Sequence, residues 1–197
     1  MRYTRLDAFW GDYAQVAIGC EGSYKWGLIN RNGVEVISPI YDSISYIGGV
    51  YALVNIGQYD DLENMEFVSG HWGVVSVDGQ CKIDLQYTEL HWANRECSLL
   101  IAEDSQTNMQ GVIDIDQNIV IPFEYSAIFP MSGNLLQIKT HNEKHGVIDM
   151  KHNIIIEPIY DELIIGWQGA FGSDSWIAVE KENERFYIDC RGNRVLF

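Results

Sequence analysis

Several features that would place the chain in a familiar functional class are missing from the sequence. Its four cysteines, Cys20, Cys81, Cys97 and Cys190, are scattered, with no CxxC pair and no zinc-site spacing. Such cysteines are typical of reduced thiols in a cytosolic protein. No uncharged apolar run is long enough to cross a bilayer. Residues 1–20 lack the basic start and continuous apolar stretch of a signal peptide. We therefore expect a cytoplasmic protein without a membrane segment.

Basic residues are also scarce, since 13 lysines and arginines face 28 aspartates and glutamates, for a net charge of −15. Nucleic acid and anionic membranes are poor partners for such a chain, because their phosphate groups would be repelled. A basic protein partner is compatible with this charge, although plain solubility also explains it. Neither a GxSxG elbow nor a P-loop occurs, so we expect no enzymatic activity and no cofactor. An active site assembled from residues distant in sequence is the alternative left open.

An internal repeat is what the sequence does contain. The stretch KWGLINRNGVEVISPIYD at 25–42 returns as HWGVVSVDGQCKIDLQYT at 71–88 and KHGVIDMKHNIIIEPIYD at 144–161. A fifth copy begins at 185 with Phe186 at the glycine position, and the segment from Tyr3 supplies the part that this copy lacks. We predict a single domain of five units of about 39 residues, approximately 3–40, 41–86, 87–124, 125–159 and 160–197. A tyrosine follows the motif glycine by 14 positions in four copies: Gly27 and Tyr41, Gly73 and Tyr87, Gly111 and Tyr125, Gly146 and Tyr160.

Within each unit the apolar residues follow strand chemistry. Residues 26–30, 34–38 and 51–56 alternate or run apolar and are rich in Val, Ile and Tyr. Pairs such as Asn32-Gly33 and His152-Asn153 predict tight hairpin turns between the second and third strands. We expect Pro39, Pro122 and Pro158 to end the pairing of the third strand, because proline has no N–H to donate.

These patterns predict an all-β fold of antiparallel repeats with no helix. Four strands per unit resemble a propeller blade, and the matching phase of the two ends suits a closed five-blade ring. An open stack of hairpins is the alternative, but it would need polar caps and RVLF at 194–197 is apolar. We favour the propeller-like ring.

The residues Lys25-Trp26-Gly27 with Pro39-Ile40-Tyr41-Asp42, echoed by Pro158-Ile159-Tyr160-Asp161, resemble the bacterial WG-containing repeat. The resemblance covers essentially the whole chain. It implies a structural motif without catalytic residues. Because Trp26 and Trp72 recur with the repeat, we predict that they pack in the core. The chain departs from the pattern where Gln110 and His145 replace tryptophan and where Phe186 replaces glycine.

Two groups of residues could in principle hold a metal. A polar column lies three residues after the motif glycine, and carboxylates from neighbouring units could gather there around a hard cation. Capping of each hairpin turn by its own side chain is the interpretation we prefer. His141, His145 and His152 are close in sequence, and His141 with His145 has the spacing of a ligand pair, but no third ligand is evident near that pair, so we predict surface histidines and no metal site. The column consists of Asn30, Ser76, Asp114, Asp149 and Asp189.

Two insertions that break the repeat are the candidate partner-binding site. Both interleave acidic and aromatic residues, which would give a basic protein steering charge and apolar anchors. We therefore predict a non-catalytic protein-binding repeat domain, and in a sharper form an immunity or inhibitor protein for a basic bacterial toxin. A small-molecule or glycan-binding protein that uses the aromatic loops is the alternative. The residues are Tyr59, Asp60, Asp61, Glu63, Glu66 and Phe67 within 57–70, and Trp167, Phe171 and Asp174 within 166–176.

Overall fold

A computed structural model describes residues 2–46, 49–61, 66–164, 176–189 and 191–195. Within these ranges all regular secondary structure is β-strand, in nineteen strands, and neighbouring strands pair antiparallel. The prediction of an all-β, antiparallel fold without helices is thus confirmed for the part of the chain that the structure describes. None of the sheets formed by these residues closes on itself.

The first two sheets are four-stranded meanders in which each strand pairs with the next along the chain. The first contains β1 (Arg5–Leu6), β2 (Tyr13–Ile18), β3 (Lys25–Asn30) and β4 (Glu35–Tyr41). The second contains β5 (Ser43–Ser45), β6 (Tyr51–Asp61), β7 (Glu66–Ser76) and β8 (Cys81–Tyr87).

The following strands form one seven-stranded sheet and a last four-stranded meander. The seven-stranded sheet contains β9 (Glu89–Trp92), β10 (Leu99–Glu103), β11 (Gln110–Asp114), β12 (Ile119–Met131), β13 (Leu135–Thr140), β14 (His145–Asp149) and β15 (Ile154–Tyr160). The last meander contains β16 (Glu162–Ile164), β17 (Ile177–Lys181), β18 (Glu184–Ile188) and β19 (Arg194–Val195). The seven strands form one sheet because β12 runs for 13 residues and pairs with β11 at its start and β13 at its end.

The chain divides into two compact units, residues 1–91 with 115–117, and residues 92–114 with 118–197. Each unit has its own apolar core, built from the inward positions of its strands. The first core contains Leu28, Ile37, Ala52, Val54 and Val75, with a second cluster of Ala14, Val16 and Ile29. In the second unit one cluster contains Ile101, Val112, Ile121, Leu136 and Ile148, and another contains Val147, Ile156, Ile177, Val179 and Ile188.

The pairing that follows the motif glycine has the same irregular register in four places. The residue before the glycine pairs with the tyrosine, and the residue after it pairs four positions earlier on the partner strand, with a β-bulge between. In the first copy Trp26 pairs with Tyr41 and Leu28 with Ile37. The other three copies pair Trp72 with Tyr87, Gln110 with Tyr125 and His145 with Tyr160.

The bulge also corrects the prediction for the prolines, which was wrong. Pro39, Pro122 and Pro158 lie inside β4, β12 and β15, and the pairing resumes after them at the tyrosine. The bulged segment leaves residues without a ladder partner, so an absent N–H has no cost there.

Phe186 marks the copy in which the register differs. Here β18 pairs with β19 through Tyr187 with Val195 and Ile188 with Arg194, with no shift between these two pairs. A phenylalanine takes the glycine position in this copy, and the partner positions that form the bulge in the four glycine copies lie outside the described residues.

The predicted hairpin turns are confirmed by the backbone. The residue six positions after the motif glycine position has a left-handed φ in all five copies, which explains why three of these residues are glycine. Gln117 and His152 adopt the same left-handed backbone, which is less common for residues other than glycine. The φ angles are 74° at Gly33, 85° at Gly79, 65° at Gln117, 66° at His152 and 80° at Gly192.

Candidate functional site

The hairpin of β6 and β7 is longer than its counterparts in the other sheets. Both strands have 11 residues, whereas β2 and β13 have six and β10 and β17 have five. The neighbouring strand β5 pairs with β6 only as far as Asn55, and β8 pairs with β7 only from Trp72. Beyond those residues, 57–61 and 66–70 pair with each other, without β5 or β8 beside them. This two-stranded extension is called the ribbon below.

Five of the predicted site residues lie in the ribbon. Tyr59 pairs with Phe67, and Asp61 pairs with Glu66, with register shifts on both sides of Tyr59. Asp60 lies between Tyr59 and Asp61 on β6. The structure thus places these residues on paired strands. Glu63, Trp167, Phe171 and Asp174 lie outside the described residues.

The polar column caps its own turns, as preferred from the sequence. In each copy the side-chain oxygen accepts a hydrogen bond from the backbone N–H four residues later. The distances are 3.0 Å for Asn30, 3.1 Å for Ser76 and 2.8 Å for Asp114, Asp149 and Asp189. The carboxylate oxygens are therefore already committed to local donors.

Asparagine side chains reinforce this capping at the aspartates. Asn153 donates from its amide to the second carboxylate oxygen of Asp149 at 2.8 Å, and this bond holds the pKa of Asp149 below its usual value. Asn193 does the same for Asp189 at 3.0 Å and likewise lowers its pKa. Among the described residues, no group of three or more His, Cys, Asp or Glu side chains could hold a metal ion.

The three histidines have separate surroundings. His152 Nε2 lies 2.7 Å from the hydroxyl of Tyr125 and 3.3 Å from a carboxylate oxygen of Glu124, with the two rings edge to face. His145 Nδ1 lies 3.2 Å from the amide nitrogen of Gln137, and burial lowers the pKa of this imidazole. His141 lines an open pocket with Glu124, Thr140 and Lys144.

Tyr125, which lies beside His152, has a strongly raised pKa. It is the repeat tyrosine of its copy and is only 7% exposed. Burial, followed by the nearby charge of Glu124, raises the pKa of its phenol to about 12. The arrangement joins the turn at His152 to the β12 strand.

A pocket in the first unit was missed by the sequence reasoning. Its volume is about 310 Å³, and Trp26, which was assigned to core packing, lines it as well as packing against the first core. Nothing in the sequence marks this pocket, because its lining residues come together only through the pairing of β1, β2 and β3. The other lining residues include Arg5, Asp7, Gln15, Tyr24 and Asp42.

Comparison with known proteins supports the repeat. A sequence model described as "WG containing repeat" matches residues 26–59, 111–144 and 146–184, which together are more than half of the chain. No curated protein matches the chain significantly. No helix in the described part of the chain is long and apolar enough to cross a membrane.

Proposed function

Because the chain belongs to the WG containing repeat family, we propose that it is a non-catalytic binding domain whose ligand is a basic protein. The observation that carries the proposal is the ribbon, in which the hairpin continues beyond its neighbouring strands. An isolated two-stranded hairpin is marginally stable in water, so a surface that covers it would stabilise it. A partner strand can also add to either open edge of such a hairpin.

The charge of this segment supports a basic partner. Residues 57–70 carry Asp60, Asp61, Glu63 and Glu66 and no lysine or arginine. Tyr59 and Phe67, paired across the ribbon, add aromatic side chains of the kind that anchor protein interfaces. Together with the net charge of −15, this favours a basic protein surface over nucleic acid or membrane. The sharper form of the proposal is an immunity or inhibitor protein that covers a basic bacterial toxin in the cytoplasm.

The proposal extends to the architecture. We infer five units, with the seven-stranded sheet containing two of them that share β12, because the bulged register recurs at Gly111 and Gly146 within that one sheet. A propeller-like closed ring is the form proposed for these units, supported by the phase match between Tyr3 and the last copy. Small-angle scattering tests this, since a ring gives a compact particle and an open stack gives an elongated one.

The experiment for the partner is affinity capture with the purified protein at low and high salt. We expect one stoichiometric basic protein that is released by salt, with association that slows steeply as ionic strength rises. The partner is then titrated against the triple variant Asp60→Lys, Asp61→Lys and Glu66→Lys. Association with this variant should slow at least about tenfold, within the usual range of electrostatic steering.

A matched control separates the ribbon from the overall charge. Glu21→Lys, Glu96→Lys and Glu157→Lys reverse three exposed carboxylates elsewhere and change the net charge equally. The control variant should associate far faster than the ribbon variant. If both triple variants slow association equally, the effect comes from the net charge of the protein and not from the ribbon. If the ribbon variant binds the partner unchanged, the partner contacts another surface.

A further inference from the structure

A pocket beside Trp26 lies in the first unit and is lined by residues outside the ribbon. Its volume of about 310 Å³ lies at the small end of the roughly 300–1,000 Å³ typical of small-molecule sites. It is therefore sized for a single polar ring and not for a peptide or an extended chain.

The strand register explains how the pocket is built. Arg5 lies directly opposite Ala17, and Ala17 lies directly opposite Trp26, so the three form one row across β1, β2 and β3. Residues directly opposite on antiparallel strands share a face. Ala17 is fully buried and adds only a methyl group between the long side chains of Arg5 and Trp26.

The corresponding rows in the other copies carry a longer residue than alanine. A longer polar side chain takes the place of Ala17 in each of the four described positions, opposite the residue that replaces or repeats Trp26. These residues are Asn55 opposite Trp72, Glu103 opposite Gln110, Lys139 opposite His145 and Glu180 opposite Arg185. The small residue in this row is thus a feature of the first copy and not of the repeat as such.

The polar groups around the pocket match a ligand with both donors and acceptors. Asp7 lies opposite Gln15, with its N–H bonded to the Gln15 carbonyl at 2.9 Å. Among the described residues no hydrogen bond engages the side chains of Asp7 and Gln15, and no ion pair engages Arg5, whose guanidinium lies 4.8 Å from the ring centre of Tyr24. A carboxylate, an amide and a guanidinium together can accept from and donate to hydroxyl groups.

The charges around the pocket favour a neutral ligand. Asp42 is already neutralised, since Lys25 Nζ lies 2.5 Å from one of its oxygens and the N–H of Gly57 donates to the other at 3.0 Å. The remaining charges, the carboxylate of Asp7 and the guanidinium of Arg5, cancel. An ion bound there would lose hydration without a net opposite charge to compensate.

Trp26 and Tyr24 complete the recognition chemistry. Their ring centres are 6.1 Å apart with the planes at 63°, so two aromatic side chains line the pocket at an angle. Aromatic faces carry partial negative charge and attract the weakly positive C–H face of a pyranose ring. We propose that this pocket binds one ring of a neutral saccharide, with Trp26 as the stacking wall and Asp7 and Gln15 as hydrogen-bond partners of its hydroxyl groups.

The test is ligand-observed NMR and calorimetry on the whole protein. The neutral probes are D-glucose, D-galactose, D-mannose and N-acetyl-D-glucosamine, and the charged probes are L-glutamate and inorganic phosphate. We expect at least one neutral sugar to bind in the millimolar range or tighter, and neither charged probe to bind. Failure of all four sugars, or binding of a charged probe alone, overturns the proposal.

Variants locate the binding. Asp7→Ala should weaken sugar affinity about tenfold, since a hydrogen bond to a charged group is lost, and Gln15→Ala should weaken it severalfold, since the lost bond is to a neutral, half-buried amide. Asp12→Ala, which removes an exposed carboxylate on the same hairpin, should leave affinity unchanged. Trp26→Phe keeps an aromatic ring against the core and should weaken binding severalfold. Equal affinity in the Asp7, Gln15 and Asp12 variants would place the sugar elsewhere, and the ribbon variant should bind sugar normally.

Discussion

Gly27 and Ile37 approach each other so closely across the bulge of β3 and β4 that a Cβ on Gly27 would lie 2.4 Å from the carbonyl oxygen of Ile37. The same approach gives 2.5 Å at Gly73 with Ile83, and 2.7 Å at Gly146 with Ile156. No real Cβ tolerates a backbone oxygen at this distance. The glycine of the repeat is therefore required by the backbone of the partner strand, and not by a turn or by positive φ.

Gly27→Ala is expected to destabilise the protein by about 3 kcal/mol, the upper part of the usual cost of overpacking, because the obstructing atom belongs to the backbone. Gly11→Ala is the control, since an added methyl there meets nothing within 4 Å and the cost arises only from its φ of 63°. That control should lose about 1–2 kcal/mol. Urea unfolding followed by circular dichroism measures both, and equal losses would show that the bulge can relax.

The repeat was predictable because its constraints are local. The strands, the left-handed turn positions at Gly33 and His152, and the turn-capping side chains such as Asp149 each follow from residue types a few positions apart. The bulge was not predictable, because it depends on which residues of two strands face each other. For that reason the prolines were assigned to strand ends, although Pro39 lies inside a strand.

The candidate sites were likewise only partly predictable from the sequence. The composition of residues 57–70 indicated an acidic and aromatic insertion, but only the register of Tyr59 with Phe67 shows it as a continuation of a hairpin. The pocket beside Trp26 depends on Ala17 lying opposite, a relationship across nine positions of sequence that only the pairing reveals. Residues 165–175 lie outside the described part of the chain, so the predicted role of Trp167 and Phe171 stays a prediction.

Removal of the turn cap at Asp149 should have a modest and purely structural effect. Asp149 accepts from the N–H groups of Lys151 and Asn153, both at 2.8 Å, in an exposed turn. Asp149→Ala should destabilise the protein by about 1 kcal/mol. Asp149→Asn should destabilise it less, because an acceptor oxygen remains. Thermal unfolding with and without calcium is the measurement. A calcium-dependent shift that Asp149→Ala abolishes would contradict the capping role.

Acid should destabilise the folded chain through carboxylates whose pKa is lowered by folding. Hydrogen bonds from Thr107 lower the pKa of Asp104, and Lys144 lowers the pKa of Asp161. A lowered pKa contributes stability that is present above the unfolded value, near 4, and is lost as pH falls through the folded value. We therefore expect the free energy of unfolding to fall below about pH 4.

The salt dependence of stability distinguishes the ion pair at Asp161 from the turn hydrogen bonds at Asp104. Asp161→Asn should make the free energy of unfolding depend less on pH at low salt, and this effect should shrink in high salt because the attraction of Lys144 is screened. The corresponding effect of Asp104→Asn should persist in high salt, because its hydrogen bonds come from the adjacent turn. Urea unfolding between about pH 2 and 7, in low and high salt, gives the required curves. Identical salt responses of the two variants would show that the ion pair with Lys144 contributes nothing.

Alkali should also destabilise the folded chain, here through Tyr125. Folding raises the pKa of its phenol to about 12, above the ordinary value near 10. The folded state then holds a proton that the unfolded state has released, so stability is complete below about pH 10 and is lost as pH rises towards 12. Tyr125→Phe removes this titration, and its free energy of unfolding should decline less steeply across that interval, although it loses the 2.7 Å contact with His152. Parallel curves for the two proteins would mean that Tyr125 does not resist ionisation in the folded chain.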